Sequence, residues 1–317
     1  MPTLIQQVPT NLILGFLGVG KTTAILNLLR QKPRRQKWAV LVNEFGEIGI
    51  DGAIYAKSGA VIKEIPGGCL CCAVGLPFQT AINRLLRETR PDRLLIEPTG
   101  LGHPQKVLDM LNTGFFRQTL DVRASICLVD PRKLSDKRYL SNENFVDQMQ
   151  LADILIANKT DLANEEDVNR FNAYAQACRP PKTVISETIN AQLELAWLDL
   201  ASRADRTAKF PHAHNRATTQ QPFQTCGFTF DRRHQFNFAC LETLLMSIQA
   251  ERIKGIFFTE KGWYLFNIAD GSFESHPCQA STDSRVEIIS TSRIPQDFRQ
   301  QLLNCVYVNK CHRMGSS

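Results

Sequence analysis

The chain has 317 residues, 37 Lys plus Arg against 31 Asp plus Glu, and a net charge of +6. With 43% hydrophobic and 21% charged residues it is neither a disordered nor a collagen-like sequence, and its length suits two domains. The mild positive balance forms no dense basic stripe and no apolar run is long enough for a membrane helix, so neither nucleic acid nor membrane is expected as a partner. The first ten residues lack a signal peptide's basic start and apolar core, and the protein is expected in the cytoplasm.

Short apolar runs alternate with amphipathic stretches as far as residue 200. Asn11–Leu14 reads as a strand, Lys21–Leu29 as a helix and Trp38–Val42 as a strand. Val61–Ile65 is a strand, Phe78–Glu88 a helix with apolar residues at helical spacing, Arg93–Ile96 a strand and Pro104–Leu111 a helix. Ala124–Val129 and Ile154–Ala157 read as strands, Glu165–Ala177 as a helix, Thr183–Ile185 as a short strand and Leu193–Leu200 as a last helix. This alternation predicts an α/β domain over 1–205 with a mainly parallel sheet covered on both faces.

Residues 206–222 are polar, contain two prolines and read as a linker. A smaller α+β domain is expected over 223–310. Its strands are Gln224–Phe230, Ile253–Thr259, Trp263–Ile268 and Arg285–Ser290, with a hairpin turn at Glu260-Lys261-Gly262. Its helices are Phe238–Ala250 and Pro295–Leu303, and residues 311–317 form a tail.

Gly15-Phe16-Leu17-Gly18-Val19-Gly20-Lys21-Thr22 fits the phosphate-loop pattern G-x-x-x-x-G-K-[ST] between a strand and a helix. Its glycines let backbone N–H groups face phosphates, Lys21 adds positive charge, and the Thr22 hydroxyl suits Mg²⁺. Thr23 completes the nucleotide-facing set with Gly15, Gly18, Val19 and Gly20. The first domain is therefore expected to be a P-loop NTPase. Glu97 ends a buried strand, where its carboxylate can reach the Mg²⁺ shell or orient a water, and Gly100 leaves its N–H open to a γ-phosphate. Asn158-Lys159-Thr160-Asp161 follows another strand. Asp161 there can accept from the ring N1–H and the exocyclic N2–H₂ of guanine, a donor pair that adenine lacks, so GTP and GDP are the expected nucleotides.

Gly67-Gly68-Cys69-Leu70-Cys71-Cys72 brings three thiols into four residues. Thiolates are soft ligands that suit Zn²⁺ or Cu(I). Buried thiols and a redox pair are the other readings of the same residues. A tetrahedral ion would need a further ligand, for which Glu47, His103, a water and a partner protein are candidates. The loop Asn43–Asp51 carries Glu44, Glu47 and Asp51 between glycines and reads as a γ-phosphate switch or a solvated loop. His212 and His214 stand in the linker as a metal-holding or merely solvated pair.

In order along the chain, GFLGVGKTT (15–23), NEFGEIGID (43–51), GGCLCC (67–72), EPTG (97–100) and NKTD (158–161) resemble the CobW-like P-loop GTPases, relatives of HypB and UreG. Glu251-Arg252-Ile253-Lys254-Gly255 resembles that family's second domain. The resemblance implies a GTPase that couples hydrolysis to delivery of a metal, most often zinc, to a client protein. It implies that Cys69, Cys71 and Cys72 belong to the metal site, that 43–51 acts as a switch, and that two chains can pair. Members differ in client and metal, which leaves Co²⁺ and Fe²⁺ beside Zn²⁺. Where some relatives carry a Glu just before the Asn-Glu-Phe-Gly segment, this chain has Val42. A GTP-dependent redox or partner-binding switch without metal delivery is the alternative reading.

Overall fold

The computed structural model describes residues 7–42, 60–64, 76–98, 104–203, 224–269, 272–278, 280–290 and 292–307. The chain divides into two compact units, Met1–His214 and Asn215–Ser317. The expected linker and tail lie outside the described residues.

Among its described residues the first unit has eight parallel strands: β1 (Val8–Gly15), β2 (Trp38–Val42), β3 (Val61–Glu64), β4 (Arg93–Glu97), β5 (Leu120–Val122), β6 (Ile126–Val129), β7 (Ile154–Asn158) and β8 (Val184–Thr188). Their order is β3-β2-β4-β1-β6-β7-β8, with β5 paired to the first residues of β1 and β6 to its last. Every residue of β2, β4 and β7 is buried, because helices cover both faces of a parallel sheet. The expected strand over 124–129 starts only at Ile126. Ser125 before it is committed to Asp153, whose carboxylate accepts both the Ser125 N–H (2.7 Å) and its hydroxyl (3.1 Å).

A polar cluster gathers where β2 and β4 begin, buried except for the Asp199 side chain. The Arg93 guanidinium donates to Asn11 Oδ1 (2.8 Å) and to the Leu198 carbonyl (3.0 Å), pairs with Asp199, and lies 5.4 Å from the Trp38 ring centroid. Asn11 Nδ2 donates to the same Leu198 carbonyl at 3.1 Å. The helix expected over 193–200 is instead a short 3₁₀ turn, Leu195–Asp199, in which the Trp197 and Leu200 N–H groups donate to the carbonyls three residues back, Glu194 and Trp197.

Among its described residues the second unit is an antiparallel sheet with two helices. Its strands are β9 (Gln224–Asp231), β10 (Arg252–Thr259), β11 (Gly262–Ala269), β12 (Ser272–Pro277) and β13 (Asp283–Ser290), in the order β12-β11-β10-β13-β9. Thr259 pairs with Gly262, so the hairpin turns on Glu260 and Lys261, and Gly262 takes φ +104°. Phe236, Phe257, Phe266, Leu241 and Leu302 are fully buried between the sheet and the helices Phe238–Met246 and Phe298–Asn304. The first helix stops four residues short of the expected Ala250. There the Ser247 hydroxyl takes the Leu244 carbonyl (2.7 Å). The second starts at Phe298, three residues after Pro295, whose carbonyl accepts the Phe298 N–H in a turn (3.1 Å). A disulfide joins Cys240 to Cys305, with Cα atoms 5.4 Å apart. No helix among the described residues is long and apolar enough to cross a membrane.

Candidate functional site

The phosphate loop leaves the carboxyl end of β1, the strand between β4 and β6. Chain connections run to opposite sides of the sheet from such a strand, which opens a crevice at its end. Gly15, Gly18 and Gly20 have φ of +142°, +69° and +103°, values that side-chain-bearing residues rarely adopt. A Cβ on Gly15 would stand 2.7 Å from the Leu128 carbonyl, and one on Gly20 would stand 2.8 Å from Asn158 Nδ2. The loop is therefore fixed as a glycine structure by its neighbours.

Two further contacts anchor it. Gln148, buried on the helix Glu143–Leu151, accepts the Gly15 N–H with Oε1 at 2.7 Å. Phe16 packs edge-on against Tyr139 and Phe145, with ring centroids at 5.5 and 5.6 Å. Phe16 occupies a variable position of the motif, and neither residue was singled out by sequence. The cap of the helix is the signal that could have revealed it: Asn142 accepts the Phe145 N–H at 3.1 Å.

The helix Lys21–Gln31 begins at Gly20 with no side-chain cap and no acidic residue in its first turn. Its first amides are thus left for an anion, with the helix dipole favouring one. Lys21 is buried and its Nζ donates to the Phe16 carbonyl at 3.1 Å, which holds the ammonium over the loop. Thr22 Oγ1 donates to Glu97, 3.1 Å from Oε1, and Glu97 is the buried last residue of β4. The structure thus brings the expected hydroxyl and carboxylate together. Two hard oxygen donors fit Mg²⁺, which takes few protein ligands and completes its shell with phosphate and water. Thr23 is exposed beside them.

On the other side of the loop, Asn158 ends β7 and is buried. Its Nδ2 donates to the Val19 carbonyl at 2.7 Å and its Oδ1 accepts the Ala191 N–H at 2.8 Å. One side chain therefore ties the phosphate loop to the segment after β8. Asn190 and Ala191 both have positive φ, and Asn27 Nδ2 holds the Asn190 carbonyl at 2.8 Å. Lys159 turns the chain at φ +63°, and the 3₁₀ turn Thr160–Leu162 presents Asp161 exposed at the rim. The Thr160 hydroxyl donates to the Thr188 carbonyl at 3.2 Å, which fixes this turn against the end of β8. A carboxylate on a braced rim beside a phosphate loop can read the guanine donor edge. Asn27 and Ala191 carry no motif and were not anticipated.

Glu44, Glu47, Asp51, Cys69, Cys71, Cys72, Gly100, His103, His212 and His214 lie outside the described residues. Among the described residues no group of three or more His, Cys, Asp or Glu is placed to hold a metal ion.

Residues 9–186 match the nucleotide-binding domain of the CobW/HypB/UreG family. The chain is 40% identical to the zinc chaperone YeiR of Escherichia coli, over 93% of this chain and 96% of that protein. It is 30% identical to the zinc chaperone CobW of Sinorhizobium sp, over 61% of this chain and 62% of that protein. A crystal structure of the Zn(II)-bound YjiA GTPase from E. coli aligns over 95% of this chain and 99% of its own, with 19% identity and a TM-score of 0.45. The chain belongs to the CobW/HypB/UreG family.

Proposed function

We propose that this GTPase of the CobW/HypB/UreG family uses Mg²⁺-dependent binding and hydrolysis of GTP to deliver zinc to a client metalloprotein. The contact of Thr22 with Glu97 beside the buried Lys21 carries the nucleotide half of the reading. It supplies oxygen donors next to a helix start that is left open to phosphate. The zinc half is supported by likeness to YeiR along nearly the whole chain and by the thiols Cys69, Cys71 and Cys72. A reducing cytoplasm would keep those thiols available as ligands.

Each group then has a task. Loop amides and Lys21 stabilise negative charge on the transferring phosphoryl oxygens. Thr22 and Glu97 would hold Mg²⁺, which supplies charge neutralisation at the β- and γ-phosphates when bound. Asp161 accepts from guanine, and Asn158 keeps base rim and phosphate loop in register. Gly100 offers its N–H to the γ-phosphate. Glu44, Glu47 and Asp51 belong to a switch loop whose arrangement differs between GTP and GDP. Delivery requires that the two arrangements bind zinc with different affinity. Glu47 is a further ligand candidate for the ion, and two chains can pair in the cycle.

The test is phosphate release from GTP and ATP by the reduced protein, with and without stoichiometric Zn²⁺, beside a Cys69/Cys71/Cys72→Ala variant. GTP-selective release that answers to zinc only when the three cysteines are present is the expected result. Release indifferent to zinc and to the cysteines overturns the delivery cycle and leaves a redox or partner-binding GTP switch. Equal zinc affinity with a non-hydrolysable GTP analogue and with GDP would also overturn it.

A further inference from the structure

The described cysteines divide by environment. Cys127 and Cys178 are buried, and burial raises both thiol pKa values, that of Cys127 to about 12. Cys226 and Cys278 are half-buried and also pushed up by burial. These four stay protonated near neutral pH and are poor nucleophiles. The bonded pair differs: Cys240 and Cys305 line an open groove of about 570 Å³ with Thr243, Ser247, Gln301 and Asn304.

The two sulfurs of the pair are not equivalent. Cys240 is half-buried in the first turn of the helix Phe238–Met246, where a thiolate is favoured. Cys305 is 3% exposed at the end of the helix Phe298–Asn304, so an incoming sulfur has access to Cys240 and not to Cys305. Backbone contacts hold the two positions together apart from the sulfur bond. The Asn237 N–H donates to the Cys305 carbonyl at 2.7 Å, the Tyr307 N–H donates to the Gln235 carbonyl at 2.5 Å, and Phe236 bridges Val306. Opening the bond therefore leaves the thiols side by side, ready to close again.

We propose that Cys240–Cys305 is a reversible thiol-exchange site for a small thiol of the glutathione class, with Cys240 carrying the mixed disulfide and Cys305 resolving it. In the reducing direction the incoming thiolate attacks Cys240 Sγ. The Cys240–Cys305 bond breaks, its electron pair leaves on the Cys305 sulfur, and that sulfur takes a proton from water. A second thiolate attacks the small-molecule sulfur of the mixed disulfide and releases the Cys240 thiolate and the oxidised small disulfide. Two small thiols are oxidised and one protein disulfide is reduced. With the small disulfide as oxidant the same steps run backward: Cys240 attacks, and Cys305 then expels the small thiolate.

The test uses the full chain at neutral pH without denaturant. The protein is incubated with reduced glutathione, quenched in acid, alkylated and mapped by peptide mass spectrometry. Both Cys240 and Cys305 are expected as free thiols in the folded protein, and oxidised glutathione is expected to restore their bond. Reduced Cys305→Ser treated with oxidised glutathione should gain one glutathione on Cys240, whereas Cys240→Ser should modify Cys305 about tenfold or more slowly. A bond that opens only in urea overturns the proposal, and this wild-type measurement needs no variant to fold. Equal or faster modification of Cys305 overturns the assignment of Cys240 as the attacked sulfur.

Discussion

Gln148 holds Gly15 across 133 residues of sequence: the amide oxygen of one accepts the backbone N–H of the other at 2.7 Å. The phosphate loop therefore depends on a helix that belongs to no recognisable motif. Gln148→Leu leaves a buried N–H without its acceptor, at a cost of about 1–3 kcal/mol. Urea unfolding is expected to show that loss as a lowered midpoint. An unchanged midpoint for the leucine variant would mean that the bond contributes nothing to the loop.

Asp161 and Asn158 should separate base recognition from loop support. Asp161→Ala removes the acceptor for the guanine donor edge and is expected to weaken GTP binding about 10–100-fold while leaving ATP binding alone. Asn158→Ala frees both Val19 and Ala191 and should weaken both nucleotides. Calorimetric titration of each variant with each nucleotide distinguishes the two outcomes. Equal loss of GTP and ATP in the Asp161 variant would remove it as the base reader.

Thr22 and Glu97 act as a pair in the proposed ion site. Thr22→Ala and Glu97→Gln are each expected to raise the Mg²⁺ concentration for half-maximal GTP hydrolysis about tenfold or more. Magnesium titration at saturating GTP reads this directly. A glutamine variant with unchanged magnesium demand would assign Glu97 to the structure of the strand end only.

Lys182 gives a pH-dependent prediction. Its Nζ donates to the carbonyls of Met149, Gln150 and Ala152 at 2.6, 2.7 and 2.8 Å, where the helix Glu143–Leu151 ends. Burial pushes its ammonium down to about 8. An unfolded lysine keeps its proton to about 10.4. Between these values the unfolded chain binds more protons than the folded one, so this group favours folding increasingly as pH rises. The stability advantage of wild type over Lys182→Met, measured by urea unfolding, should be larger at about pH 9.5 than at about pH 7. An advantage that shrinks over that interval would place the folded ammonium above its unfolded value.

Sequence carries conformational demand where one residue type alone can meet it. Gly15, Gly18 and Gly20 all sit at positive φ, so the loop was legible before its shape was known. The wholly buried strands β2, β4 and β7 were legible because covering both faces leaves no polar position to confuse the pattern. The helix Glu143–Leu151 was not. Gln148 sits on its buried face, and its reason for being there, the Gly15 N–H, lies far away in sequence. The edge strand β12 (Ser272–Pro277) escaped for a related reason, since an exposed edge tolerates serine, glutamate and a terminal proline. In the site, Thr22, Glu97 and Asn158 were readable as motif members. Asn27 resembles any polar residue on a helix surface, and its contact with the Asn190 carbonyl exists only in the fold.

The bond between Cys240 and Cys305 also encloses a length of chain. Strands β10, β11, β12 and β13 all lie between the two cysteines in sequence, while β9 lies before them. The covalent structure there is a ring with two tails. While the bond is closed, one proteolytic cut inside the ring leaves two pieces still joined at the sulfurs and sheds nothing, so the nicked protein keeps its full mass on a non-reducing gel. The same sample yields two fragments once the sulfur bond is opened.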